Sequence, residues 1–385
     1  MALSRREFLA TCGRGLALAS PALLALGCPA GLGGPGSMEE PRHGHTATPL
    51  RGGSLLVAGG LTKTGPLASA ELFNPGRGRF ELLRSTLLQA RGWHRATLLR
   101  DGRVLITGGW FSYQVALKDG ILYEPGRRHF RPVRGRMRDG RYDHTATLLP
   151  DGRLLVAGGN DQRRALRSAE LFDPGREAFE PLDQPLFQPR QQHTATRLED
   201  GRVLLAGGAE GRMGRFAELF EHGPGSERRG RFRPLRAPMA RARRSHTATL
   251  LPDGRVLLAG GQEGGKALAD AELFDPRGER FDPVPGGLSG PRQQHTATLL
   301  PDGRVLLTGG WGKEGTLDSV ELFDPREGRF QKVSAKLRYA RRFHTATLLP
   351  GGEILLAGGA NEVEVLAGAE LLSPPAPLGG GRNSP

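Results

Sequence analysis

Short apolar runs of four to six residues recur along almost the whole chain, each closed by glycine, proline or aspartate. The fullest copies read R-x-x-H-T-A-T-L-L-P-D-G-R-V-L-L-A-G-G, then, after a variable stretch, A-E-L-F-D-P-x-x-G-R-F. Seven histidines anchor the copies, His45, His94, His144, His193, His246, His295 and His344, at spacings of 49, 50, 49, 53, 49 and 49. H-T-A-T-L-L and G-R-V-L-L-A predict two short strands. The Asp-Gly between them, as at Asp151-Gly152 and Asp253-Gly254, predicts a tight hairpin because glycine accepts positive φ. A third strand at A-E-L-F-D-P and a fourth at G-R-F complete the unit.

Four strands per period of about 50 residues predict blades set around an axis. The expected fold is all-β, a seven-bladed β-propeller of antiparallel blades over residues 42–374. Its last blade is expected to be incomplete. The first three elements occur seven times, but the fourth only six, at Phe80, Phe130, Phe179, Phe232, Phe281 and Phe330. Only Gly36–Pro41 remains to close the ring, and it is poor strand material.

The Gly-Gly pairs that end the second strand, from 59/60 to 358/359, and the aromatic pairs that follow resemble the kelch-repeat family, including the propeller domain of galactose oxidase. That family places tyrosine and then tryptophan after Gly-Gly. Here phenylalanine stands at both positions, as in Phe73 and Phe80, Phe172 and Phe179, Phe274 and Phe281, and Phe323 and Phe330. The resemblance implies kelch-type blades. It does not carry over the oxidase's copper site, which needs two tyrosines, two histidines and a tyrosine cross-linked to cysteine. The repeats hold no cysteine, and the chain has four tyrosines, Tyr113, Tyr123, Tyr142 and Tyr339. No cofactor and no metal are therefore expected.

The segment before the repeats reads as an address. Ser4-Arg5-Arg6-Glu7-Phe8-Leu9 resembles a twin-arginine export signal, and residues 15–26 form an apolar stretch too short and proline-interrupted to span a bilayer. Leu24-Ala25-Leu26-Gly27-Cys28 resembles a bacterial lipobox, in which the cysteine thiol takes the lipid. Cys12 and Cys28 are the chain's two cysteines, so no disulfide staples the repeats. The expected division is a signal peptide over 1–27, a lipidated Cys28 with a flexible tether to 41, the propeller, and a disordered tail over 375–385. It places the protein in a bacterial cell envelope as a periplasmic or outer-membrane lipoprotein, surface exposure included, held to the membrane by its lipid alone.

The net charge of +14 favours anionic partners, but arginines spread through every repeat, and this also fits a solvated surface. No specific nucleic-acid binding is expected, and a monomer is.

Residues that recur in every blade are read as structural. These are the seven histidines and the arginine three positions before each: Arg42, Arg91, Arg141, Arg190, Arg243, Arg292 and Arg341. A glutamate opens the third strand in six copies, with Ile121 the exception, and suggests Arg–Glu or His–backbone bonding. Function is expected where copies differ, on the face formed by the loops before strand one and between strands two and three. The candidates there are Trp93, Trp110, Phe111, Tyr113, Tyr142, Trp311 and Phe343, read as exposed rings beside amides such as Gln191 and Gln294. The sequence shows no Ser-His-Asp motif, nucleophile elbow, phosphate loop or H-E-x-x-H, so no catalytic residue is assigned. The reading is a binding module for a protein or glycan ligand. The alternative is a polysaccharide hydrolase or lyase with carboxylates at the channel mouth, drawn from Asp143, Glu210, Glu263, Glu314, Glu362 and Glu364.

Overall fold

The computed structural model describes residues 35–112, 115–209, 211–222 and 230–375. The calls on the export signal, Cys28, Tyr113, Glu210 and the tail after Pro375 lie outside the described residues. Among the described residues, no helix is long and apolar enough to cross a membrane.

Seven antiparallel sheets form a closed ring. Blade 1 runs Thr46–Pro49, Leu55–Ala58, Ala70–Asn74 and Arg79–Leu82, from the axis outward. Blade 2 begins at Arg95–Leu98, blade 3 at Thr145–Leu148, blade 4 at Thr194–Arg197, blade 5 at Thr247–Leu250, blade 6 at Thr296–Leu299 and blade 7 at Thr345–Leu348. Every second strand, such as Val203–Ala206, is buried at all four positions. Blades pack face to face, so a strand in mid-blade is covered on both sides and its sequence is a continuous apolar run. Seven apolar clusters fill the seven joints between blades. Leu56 and Leu83 of blade 1 meet Ile106 and Phe130 of blade 2, and Val57 and Phe73 of blade 1 meet Leu355 and Ala357 of blade 7. Paired rings lock the outer strands, with Phe73 and Phe80 at 4.8 Å, and Tyr123 replaces the first phenylalanine in blade 2.

The seventh blade has three strands, Thr345–Leu348, Ile354–Ala357 and Ala369–Leu372. The segment assigned to the tether does the closing. Gly36 N–H donates to Gly78 O at 2.8 Å, as Gly135 does to Glu177 O at 3.0 Å between blades 2 and 3. Met38 N–H donates to Ala367 O, and its side chain is buried in the joint between blades 7 and 1. Met38 stands four residues before Arg42, where the other copies carry Leu87, Met137, Leu186, Met239, Leu288 and Leu337, all buried. Gly36–Pro41 therefore belongs to the ring rather than to the tether. It works as an apolar plug, which needs no strand propensity.

Two polar belts run through every blade. Each repeat arginine is 0–1% exposed and donates through Nη1 to the carbonyl of the first glycine in its own Gly-Gly pair, at 2.7–3.0 Å. It also ion-pairs the glutamate opening strand three, as in Arg42–Glu71 at 2.8 Å and Arg243–Glu272 at 2.7 Å. Where blade 2 has Ile121, Asp119 two residues earlier pairs with Arg91 at 2.8 Å. The glutamate's second oxygen accepts a backbone N–H from the segment leading into the blade, for example Glu39 N–H to Glu71. Removing one arginine would strand a buried carboxylate, at a cost of about 3–5 kcal/mol.

The histidines form the inner belt. Each Nε2 hydrogen-bonds a threonine of the preceding blade at 2.9–3.1 Å: Thr46 to His94, Thr145 to His193, Thr194 to His246, Thr247 to His295, Thr296 to His344, and Thr345 to His45 across the closure. Blade 2 carries Arg95 instead of that threonine, and His144 takes Thr107 at 2.9 Å. The Gly-Gly pair is required by this contact. Its first glycine has positive φ, and a Cβ there would come within 2.7–3.0 Å of the next blade's imidazole.

Burial, aided by neighbouring arginines, holds all seven imidazoles well below the ordinary histidine pKa, His295 at about 3. Unfolded histidines titrate near 6.5, so below that pH the unfolded chain binds more protons than the folded one. The stabilisation is complete above about pH 7.5. Below 6.5 it falls by about 1.4 kcal/mol per pH unit for each histidine. The melting temperature should stay flat from pH 8 to 7 and drop steeply from 6.5 to 5; equal values at pH 7 and 5 would contradict neutral buried imidazoles. Separately, Met38→Ala should cost about 2–4 kcal/mol in urea unfolding, and an unchanged midpoint would remove Met38 from the closure.

Candidate functional site

The lead-in to each first strand and the loop after each Gly-Gly open on one end of the ring, opposite the Asp-Gly turns. The register requires this: strand one pairs antiparallel with strand two, so Thr46 lies opposite Ala58 and Pro49 opposite Leu55. The residue before each histidine lines the mouth: Gly44, Trp93, Asp143, Gln192, Ser245, Gln294 and Phe343. All seven have φ between 51° and 59°. Each donates its N–H to the carbonyl of its counterpart one blade back, from Trp93 to Gly44 at 2.9 Å round to Gly44 to Phe343 at 3.1 Å. Seven backbone hydrogen bonds thus close a collar around the axis, in a left-handed conformation that costs non-glycine residues energy and holds only where surroundings impose it. Glycine at 44 also makes room for a neighbour, since a Cβ there would lie 2.8 Å from the Trp93 indole nitrogen.

Side chains on the collar divide it into two halves. Across blades 6, 7, 1, 2 and 3 the rings touch in sequence. The Arg342 guanidinium lies 4.0 Å above Trp311 and 5.9 Å from Phe343. Phe343 meets His43 at 5.8 Å, His43 meets Trp93 at 6.0 Å, and Trp93 contacts Trp110 at 5.7 Å and Tyr142 at 6.4 Å. Across blades 3 to 5 the mouth is polar. Gln192 Nε2 donates to Asp143 at 3.1 Å, Ser245 Oγ donates to Gln192 Oε1 at 3.1 Å, and Asn160 donates to Gln191 at 2.9 Å.

The structure brings together five candidates, Trp93, Trp110, Tyr142, Trp311 and Phe343. Phe111 sits apart on the hairpin Trp110–Ser112 and Val115–Ala116, 36% exposed. The expectation of exposed rings is corrected, since Trp93, Trp110, Trp311 and Phe343 are half-buried. Tyr142 is not an exposed ring but 6% exposed, because it packs under Trp93 and its backbone bridges to Asn160. Its removal would cost stability as well as any contact. His43 and Arg342, which link the arc, were missed. Their signal was available: both stand two residues before a repeat histidine, where copies differ. Arg95 replaces a threonine at the start of the innermost strand, and its Nε donates to His144 O at 2.7 Å. Burial lowers its pKa, against the pull of Asp143.

Asp143 is the one carboxylate on the collar. Glu263 pairs with Arg241, Glu314 with Lys313, and Glu362 accepts from Thr316, each in a separate loop. Among the described residues, no three histidine, cysteine or acidic side chains converge as metal ligands. The inner-belt histidines are committed to threonines around the ring, so they do not fit a copper site.

A ring of seven antiparallel units, six of four strands and one lacking its outer strand, is a seven-bladed β-propeller. A model of the KLHDC2/KLHL20/DRC7 Kelch-repeats domain matches residues 143–359, and the chain belongs to the kelch-repeat β-propeller family. Among solved structures, a fungal alcohol oxidase of the AA5 family, in complex with copper, aligns with a TM-score of 0.73 at 18% identity over 87% of this chain and 74% of that one. At that identity the likeness is one of fold. No curated protein matches the sequence.

Proposed function

We propose that this kelch propeller is an exported, lipid-anchored binding module that holds a protein or glycan partner on the collar. Kelch propellers commonly serve as protein-binding modules. The observation that carries the reading is the continuous arc from Trp311 to Tyr142, set against the amides of Gln191, Gln192 and Gln294. Flat apolar faces opposite amide and hydroxyl groups accommodate a ligand with one apolar side and one hydrogen-bonding side. A side chain inserted from a partner protein, or a sugar ring, has that character. The collar's backbone is spent on its own hydrogen bonds, so recognition falls to side chains.

Binding is tested by pull-down and glycan-array screening of the full chain carrying Cys28→Ala, followed by titration of whatever is retained. Trp110→Ala and Trp311→Ala should each weaken the partner by about thirtyfold, as loss of a central aromatic anchor does. Unchanged affinity in both would move the site off the arc. For export, lysine at both Arg5 and Arg6 should leave unprocessed precursor in the cytoplasm, while Cys28→Ala should remove metabolic palmitate labelling. Labelling that persists in Cys28→Ala would discard the lipid anchor and leave export standing.

A further inference from the structure

The end of the ring opposite the collar carries an asymmetry that the binding reading does not use. Blades 1 to 6 present two turns there, one between strands one and two and one between strands three and four, and the three-stranded blade 7 presents the first. In blades 3 to 6 most arginines of these turns meet acids, Arg277 and Arg326 being the ones without an ion pair among the described residues. Arg153 folds onto Asp151 at 2.8 Å, Arg202 onto Asp200 and Glu279, Arg255 onto Asp253, Arg304 onto Asp302, and Arg329 onto Glu327. Blade 1 has lost both acids of the repeat. Its first turn reads Arg51-Gly52-Gly53-Ser54 where blades 3, 5 and 6 have Pro-Asp-Gly-Arg, and its second begins with Asn74 where blades 2 to 6 have aspartate or glutamate. Arg51, Arg77 and Arg79 are all exposed, and among the described residues none has an ion-pair partner. Arg51 reaches blade 2, where Nη2 donates to the carbonyl of Arg100, a further exposed arginine with no ion pair among the described residues. The nearby acids are engaged: Asp101 with Arg103, Glu124 with Arg131 and Arg127, and Glu81 with Arg128. Glu353, in the corresponding turn of blade 7, is the exposed acid across the joint.

This patch surrounds the point at which the N-terminal segment leaves the ring. Gly36 N–H donates to Gly78 O, and Gly78 lies between Arg77 and Arg79. Cys28 is eight residues upstream of Gly36, a reach of at most about 28 Å. We propose that the turn end of blades 1 and 2, through Arg51, Arg77, Arg79 and Arg100, docks on the anionic headgroups of the membrane that holds the anchor, so that the aromatic collar faces away from it. The orientation rests on the lipid anchor proposed above; the affinity of the patch for phosphate headgroups does not. Four guanidiniums on three turns of two neighbouring blades meet phosphates as charge-assisted hydrogen bonds, and the short tether holds them at the surface.

The test uses the full chain with Cys28→Ala, which lacks the acyl-bearing thiol, and sedimenting vesicles of phosphatidylcholine with or without phosphatidylglycerol. The chain should sediment with the anionic vesicles, release at 0.5 M salt, and ignore pure phosphatidylcholine. Changing Arg51, Arg77, Arg79 and Arg100 together to glutamate should cut partitioning by at least a hundredfold, at about fivefold for each arginine. Changing all four to lysine should keep most of it. Changing four exposed collar-end cations, Arg163, Arg164, Arg212 and Lys313, to glutamate makes the same net-charge change and should leave partitioning within about threefold. Equal loss in both glutamate sets, binding to pure phosphatidylcholine, or capture of an oligonucleotide with no vesicle binding would overturn the patch. Palmitate labelling of the unaltered chain reads the anchor independently. A patch that binds vesicles in a chain that is never labelled overturns the orientation and leaves the headgroup site.

Discussion

Each joint in this ring depends on one imidazole held neutral between a threonine of the preceding blade and a pair of glycines. That contact explains why four residue types recur together. Glycine is needed because any Cβ would strike the ring of the next histidine. Threonine is needed because a buried imidazole nitrogen without a partner costs about 1–3 kcal/mol. Arginine then occupies the carbonyl that the Gly-Gly turn leaves free, and a carboxylate on strand three neutralises the arginine. Blade 2 shows how the system tolerates change. It loses the glutamate to Ile121 and the threonine to Arg95, yet Asp119 and Thr107 supply the same groups from neighbouring positions.

Closure follows the same economy. Seven apolar joints need seven plugs but only six fourth strands, and Met38 provides the seventh plug. Because the plug precedes the first blade in sequence while packing on the last, the two ends of the propeller are held together by burial and by backbone bonds such as Met38 N–H to Ala367 O and Arg42 N–H to Leu366 O. No strand has to cross from one terminus to the other.

Fixing the collar by backbone hydrogen bonds frees its side chains to vary. The seven positions before the histidines share one conformation but carry glycine, tryptophan, aspartate, glutamine, serine, glutamine and phenylalanine. The scaffold is thus rigid where copies agree and chemically diverse where they differ, on the collar in one way and on the turns of blade 1 in another.

The strands, the hairpin turns, the seven copies and the missing fourth strand of the C-terminal blade were all legible in the chain, because each depends on local periodicity and turn chemistry. So was the division between repeated and exceptional residues. The partners of the repeated residues were not, since Thr345 and His45 are 300 positions apart and meet only when the ring closes. Burial of Tyr142 was hidden for the same reason: a ring beside a histidine reads as exposed until Trp93, from another blade, is laid over it. Met38 carried no strand signal, and its role appeared only as the shape of the last joint. Local pattern determines what each blade is, because strand pairing and turns are decided within about 50 residues. Which aromatic rings share a surface, and which arginines stand without acids, is decided by the angle at which seven blades meet.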